Sequence, residues 1–318
     1  MKHFFYLTIL STTLFTNAQN EIKMTWENEI KEVEYQNKKQ FVISPNSLYK
    51  DNWHNLPQTQ FWKQIVLLSP DSCLINVAAN RRVLHKMSMK EWNKFSETQK
   101  IAYKDSIRSA YQIEPTFKIN VTEGKNHFYK ISEVSPSISN GILEFKKNKV
   151  DPWYAQAILL IESPAVLQKS VAGAYGPFQL MPTVARKFGL TVNSTTDERE
   201  NFERSAFAAS KLIQTVCIPE AKNILNEYGL KYSETDVWFR LIVMHIYHAG
   251  SGNVRSVFNK IQPTEGGQEL IQKIWVTSAG SFGNASQNYS QVALATQVVL
   301  DEIIQPDVKK KLNPFSEN

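Results

Sequence analysis

The tightest constraint on this chain is the run Trp153-Tyr154-Ala155-Gln156-Ala157-Ile158-Leu159-Leu160-Ile161-Glu162-Ser163. Asp151-Pro152 opens it, a capping residue followed by a proline suited to the first helical position. Pro164 closes it, because the residue before a proline is driven out of the helical region. A helix that is apolar nearly all round has no face to offer water, so it belongs inside a core.

Glu162 does not fit that pattern. Gln156 and Ser163 lie seven apart and share a polar line, whereas Glu162 sits off it, above Leu159, Ile158 and Ala155. Partial desolvation and the negative end of the helix dipole both disfavour a carboxylate there, so its pKa is expected to rise. A carboxylic acid that keeps its proton near neutral pH suits the protonation of a leaving glycosidic oxygen. Taken alone, Glu162 reads better as the first exposed residue of a frayed helix end. Its neighbours in sequence change that reading.

Downstream, Ser170-Val171-Ala172-Gly173-Ala174-Tyr175-Gly176-Pro177-Phe178-Gln179-Leu180-Met181-Pro182 places two glycines three apart, then a proline and an amide in an apolar run. The expectation is a tight loop whose backbone approaches a ligand closely. A short helix from Thr183 to Phe188 follows, stopped by Gly189. Further helices are expected over Phe202–Val216, over Val237–His248 with a glycine stop at Gly250, and from Ser290 to Ile303.

Together these elements resemble the lytic transglycosylases of glycoside hydrolase family 23, relatives of goose-type lysozyme. In that family a Glu-Ser pair ends a buried helix, as Glu162-Ser163 does here. A Ser…Gly-Ala…Gly-Leu-Met-Gln loop follows, matched by Ser170, Gly173-Ala174 and Gly176…Gln179. An Ala-Tyr-Asn-Ala-Gly segment comes later, matched by Ile246-Tyr247-His248-Ala249-Gly250. Pro177-Phe178 stands where the family has Leu-Met, and His248 where it has Asn. The resemblance covers about residues 140–305. It implies a mainly α (α+β lysozyme-like) catalytic domain acting on peptidoglycan glycan strands, with no cofactor and no metal. It also implies Glu162 as the sole catalytic acid/base, cleaving the β-1,4 bond between N-acetylmuramic acid and N-acetylglucosamine to leave a 1,6-anhydro end. Ser170 and Gln179 match sugar-contacting positions, Tyr247 matches one that orients Glu162 and the substrate, and Tyr175, Phe178 and His248 are further substrate-binding candidates. Two alternatives stay open: a hydrolytic muramidase and a non-catalytic glycan-binding or assembly protein.

At 318 residues the chain suits two domains. We expect a signal peptide over 1–18, a small mixed α/β accessory region of unknown role over 19–135, the catalytic domain over 136–305 and a polar tail over 306–318. The first assignment rests on the basic Lys2-His3, the short apolar stretch to Phe15 and Ala18 before Gln19, a stretch too short to span a bilayer. It points to an exported, periplasmic protein, with peripheral membrane or cell-wall association left open and a monomer expected. In the accessory region a helix over Ser88–Ala110 and a hairpin of Phe117–Thr122 with His127–Tyr129 are expected, and no chemistry.

The net charge of +6 is spread in short runs such as Arg81-Arg82 and Lys309-Lys310-Lys311, which read as solvated surface; no nucleic-acid partner is expected. Asp197-Glu198-Arg199-Glu200 reads as acids placed before the next helix rather than a second catalytic carboxylate. His245 and His248 share a helix face but lack a third metal ligand. Cys73 and Cys217 leave a bridge and two buried thiols equally open.

Overall fold

The computed structural model describes residues 24–35, 37–162 and 169–312. The expected signal peptide, and Ser163 and Pro164 at the helix stop, lie outside them. A 3-10 turn, Thr25–Glu29, leads into an antiparallel hairpin of β1 (Ile30–Tyr35) and β2 (Lys38–Ile43). Helices α1 (Asn46–Lys50) and α2 (Pro57–Leu67) follow. Next come β3 (Ser72–Val77), β4 (Val83–Ser88), α3 (Met89–Trp92), α4 (Glu97–Ala110) and β5 (Ile119–Glu123). The three strands form an antiparallel sheet in the order β4-β3-β5.

Two local expectations are corrected here. The single helix expected over Ser88–Ala110 is two, because Ser88 and Ser96 each build a capping box, with Glu91 and Gln99 as partners. The second cap starts a new helix before the first can extend. The expected hairpin after Phe117 is absent: β5 instead pairs with β3, Val77 opposite Ile119 and Ile75 opposite Val121, and His127–Tyr129 is not a strand. Apolar side chains on β3 supply the partner that a hairpin would have lacked.

The remainder is helical: α5 (Ile131–Lys147), α6 (Trp153–Glu162), α7 (Pro182–Lys187), α8 (Phe202–Leu212), α9 (Ile218–Glu227), α10 (Val237–Ala249), α11 (Ser251–Ile261), α12 (Gln268–Val276) and α13 (Asn284–Leu312). The Phe202–Val216 helix ends at Leu212, and a π-helical turn, Ile213–Cys217, joins α8 to α9. The last helix starts ahead of Ser290 and continues to Leu312, where a tail was expected. The architecture is mainly α, with its small antiparallel sheets confined to the N-terminal part, in keeping with an α+β lysozyme-like fold. No helix among the described residues is long and apolar enough to cross a membrane.

The apolar run behaves as its composition demands. Every residue of α6 from Trp153 to Ile161 is buried, and so is every residue of α10 from Val237 to Ile246. One salt bridge between these two helices lies inside the core. Arg240 of α10 has no exposed surface; it holds Asp151 through Nε at 2.8 Å and Nη2 at 2.7 Å, and reaches Glu29 through Nη1 at 2.9 Å. Asp151 meanwhile accepts the Trp153 N–H at 2.9 Å, capping α6.

The boundary expected at residue 136 falls inside α5, whose Pro136 is accommodated within the helix. The core crosses it too, since Tyr35, Trp53, Phe61 and Trp62 join the same apolar cluster as α6 and α10. Polar ties repeat the pattern: the Phe41 N–H donates to Ser139 Oγ, the Ile43 N–H to Gln156 Oε1, and Trp62 Nε1 to Gln291 Oε1. The two cysteines are free and buried, one on β3 and the other in the π-helical turn.

Stripping a buried cation of its partner costs about 3–5 kcal/mol. Asp151→Ala should therefore lower the urea midpoint strongly, whereas Glu32→Gln, which breaks the exposed pair with Lys39, should leave it unchanged.

Candidate active site

Glu162 is the last residue of α6 and is partly buried. The Tyr289 hydroxyl, from α13, donates to its Oε1 at 3.2 Å. Burial pushes the Glu162 carboxyl up to about 7, against a pull downward from the Tyr289 hydrogen bond. The rise matches the expectation drawn from the helix, although the side chains involved are more than the helix's own. Tyr129, Tyr247 and Tyr289 all stand near enough for the Glu162 charge to add to the burial that holds their phenols above the ordinary range. Each phenol keeps its proton at neutral pH. No second carboxylate acts on Glu162 among the described residues.

The loop after Glu162 is shaped from behind by Arg199, a residue that the sequence places among surface-like acids. Arg199 is almost wholly buried; it clasps Asp197 through Nε at 2.8 Å and Nη2 at 2.7 Å. Its Nη1 donates to the carbonyls of Gly173 and Leu180, both at 2.8 Å. Asp197 is thereby held below the usual carboxylate range, chiefly by its hydrogen bonds from the Arg199 side chain. The acids expected to cap α8 do not do so: Asn201 takes that place, accepting the Arg204 N–H at 3.0 Å. Gly176 is needed for the same clasp. Its φ is +83°, and a Cβ there would lie 1.8 Å from the Arg199 carbonyl oxygen. The close approach expected between this loop and a ligand is, at Gly176, an approach to Arg199.

The other candidates divide. Tyr247 is partly buried and donates to the Phe178 carbonyl at 2.6 Å, tying α10 to the loop beside Glu162. His248 is exposed, with its ring 4.3 Å from that of Tyr289. Ser170 is exposed and closes its own turn, Oγ accepting the Ala174 N–H at 2.9 Å. Gln179 is partly buried with φ +46°, and its Nε2 reaches the Gly176 carbonyl at 3.1 Å. Tyr175 lies over Lys169 and the Arg199 guanidinium, with its hydroxyl on Glu200. Phe178 is a correction. It has no exposed surface, and it stacks on Phe145 and touches Phe202, so its ring belongs to the core and offers no floor to a sugar. Its contribution here is the backbone carbonyl.

His245 and His248 do not act as a pair, because His245 is buried with Nε2 2.9 Å from Ser290 Oγ. Two site residues escape the sequence reading, Tyr129 and Tyr289. Tyr129 falls in the region credited with no chemistry, and Tyr289 lies on a helix recognised only for its apolar face. Neither carries a local signal.

Two predictions follow the sign of the Glu162 shift. Its value near 7 lies above the ordinary 4.5, so folding favours the protonated form. The penalty is absent below pH 4.5 and complete once the pH passes 7. Glu162→Gln should therefore be more stable than the natural protein by on the order of 3 kcal/mol near pH 8, with the gap closing near pH 4 in urea titrations. Tyr289→Phe removes the hydrogen bond that favours ionisation, so the basic limb of kcat/KM should move to higher pH. A limb that stays in place would show that Tyr289 does not set it.

Comparison with protein families finds the transglycosylase SLT domain over residues 142–268. Searches of curated proteins and of solved structures give no significant match. The matched segment holds Glu162, the Ser170–Gln179 loop and Tyr247. Residues 142–268 are thus a transglycosylase SLT domain, which indicates an enzyme, a lytic transglycosylase of the lysozyme-like superfamily acting on peptidoglycan.

Proposed function

We propose that the chain is exported and that Glu162 alone supplies acid and base for a non-hydrolytic cleavage of the glycan strand. The observation that carries this reading is a carboxyl at a helix end, raised by burial to about 7 and bonded by Tyr289, without a second carboxylate acting on it among the described residues. The usual pair of carboxylates is dispensable where the substrate assists its own cleavage. Glu162 gives its proton to the bridging oxygen as the bond from C1 of N-acetylmuramic acid to that oxygen breaks. The C6 hydroxyl oxygen of the same sugar closes on C1, and its proton returns to Glu162. The ring that forms is a 1,6-anhydro end, no water is consumed, and the enzyme is ready for another turn.

Tyr247, tied to the loop through the Phe178 carbonyl, and Tyr289, bonded to the carboxyl, would hold Glu162 in place during both transfers. Ser170 and Gln179 are the loop side chains assigned to the sugar, with Tyr175 and His248 at its margins. Export is supported by the basic start and short apolar stretch of residues 1–18. In this reading the protein works in the periplasm, and a monomer is expected.

The test is product mass from purified sacculi. The natural protein should release fragments one water lighter than hydrolysis gives, and Glu162→Gln should slow release by about 100-fold or more. Products of full hydrolytic mass would make the protein a muramidase. Unchanged release by Glu162→Gln would remove Glu162 from the chemistry. Because the acid must carry its proton, kcat/KM should fall as the pH rises through about 7.

A further inference from the structure

The segment between α2 and α5 is a unit with its own small core. Ile75, Val77, Leu84, Ile113 and Ile119 form a cluster separate from the main one, with Tyr103 and Ile107 of α4 packed against it. Its two ends meet at a narrow neck. The Gly124 N–H donates to the Ser72 carbonyl at 2.9 Å, and a Cβ at Gly124 would lie 2.3 Å from the Ser69 carbonyl oxygen. Only glycine allows the outgoing chain to pass so close to the incoming one.

The unit carries a net positive charge. From Ser69 to Gly124 there are nine Lys or Arg against six Asp or Glu, a surplus of three. Short runs hide this in the sequence. The acids are already engaged in part: Glu97 holds Lys100 and Asp105 holds Arg108, both pairs within α4. Arg82, Lys86, Lys90, Lys94 and Lys118 are exposed, and none of the ion pairs among the described residues includes them. A bare surplus of this size in one small unit raises a positive potential over its surface, which draws in polyanions.

The unit also stands beside Glu162. Arg81 reaches out of it, over the Phe61 and Trp62 rings, to donate to Asn288, the neighbour of Tyr289. Tyr129, in the chain leaving β5, is one of the three tyrosines near Glu162. The unit that carries the cations is thus tied directly to the helix that bonds the acid.

We propose that the unit from Ser69 to Gly124 is a docking surface for the free carboxylates of peptidoglycan, holding the anionic strand while Glu162 acts on it. The inference rests on the catalytic reading for its choice of polymer, but not for its charge. A membrane surface fits less well. The bare cations Arg82, Lys86, Lys90 and Lys94 lie on or beside β4 and α3, whereas the exposed apolar side chains Ile101 and Phe117 lie on α4 and the loop after it. Interfacial binding wants the two kinds of residue on one face.

The test is sedimentation of the full chain carrying Glu162→Gln with purified sacculi, so that binding is read without turnover. The native sacculi are compared with sacculi whose carboxyls have been amidated. A second chain carries Arg82→Gln, Lys86→Gln, Lys90→Gln and Lys94→Gln in addition. The neutralised chain and the amidated sacculi should each weaken binding roughly tenfold, and salt of about 0.5 M should erase both differences. Replacing the three lysines by arginine should keep the binding. With Glu162 intact, neutralisation should raise KM on sacculi and leave kcat unchanged. Equal sedimentation of the neutralised chain, or of the amidated sacculi, would overturn the proposal. So would tighter retention on phosphatidylglycerol vesicles than on sacculi, which would assign the surface to lipid headgroups. Charge-dependent binding by a protein that releases no product would keep the docking surface and discard the catalytic reading.

Discussion

A helix enclosed by apolar side chains on every side meets water only at its ends, and in this protein Glu162 occupies one of them. That placement sets two demands against each other. The carboxyl must be reachable by a polymer, yet desolvated enough to keep its proton. The fold meets the second demand with phenols. Tyr129, Tyr247 and Tyr289 stand near the carboxyl and the Tyr289 hydroxyl bonds it, so the buried acid keeps a polar partner. The far end of the same helix is fixed by Asp151, which caps it and holds the buried Arg240. The position of the acid is thus set through an ion pair at the other end of a rigid element.

The loop after Glu162 extends the same logic. Arg199 satisfies the carbonyls of Gly173 and Leu180 from inside, and Gly176 is the residue small enough to let the Arg199 backbone approach. Phe178 anchors the loop in the core, and its carbonyl receives Tyr247. Several residues in the motif that look outward in the sequence are therefore internal braces. What remains at the surface of the loop is Ser170 with Val171 and Ala172, and Gln179 and Tyr175 are partly exposed. Conversely, the acid group of the Asp197–Glu200 segment looks like a catalytic option and is in fact the counter-charge of the brace.

The parts of the fold that were legible are those written in neighbouring residues. The apolar run of α6, the glycine stop of α10 and the cap at Ser88 are local, and a reader of the chain can find them; the cap at Ser96, equally local, falls within a stretch read as helix interior. The direction of the Glu162 pKa shift was also legible, because a place at the end of an apolar helix already implies partial desolvation. Tyr289 was not, since its contact with Glu162 spans 127 positions and depends on how α13 lies along α6. The pairing of β5 with β3 was hidden for the same reason: alternation shows that a strand exists and says nothing of its partner. Arg199 was misread because a charged residue in a polar stretch gives no sign of burial until its four acceptor contacts are seen.

The segment that matches the transglycosylase SLT domain, residues 142–268, contains Glu162 and Tyr247 but neither Tyr129 nor Tyr289. Two of the three phenols near the acid thus come from outside it, one from each side in the chain. The hairpin β1-β2, helix α2 and helix α13 share its core; β2 hydrogen-bonds to α6 through Gln156, and α13 to α10 through Ser290 and His245, so they are not an appendage carried by a self-sufficient enzyme. Holding a carboxyl about 300-fold less acidic than its ordinary state requires neighbours that water cannot displace. Tyr289 of α13 bonds the carboxyl and Tyr129 of the chain leaving β5 stands near it, so the surroundings of Glu162 are a property of the assembled chain.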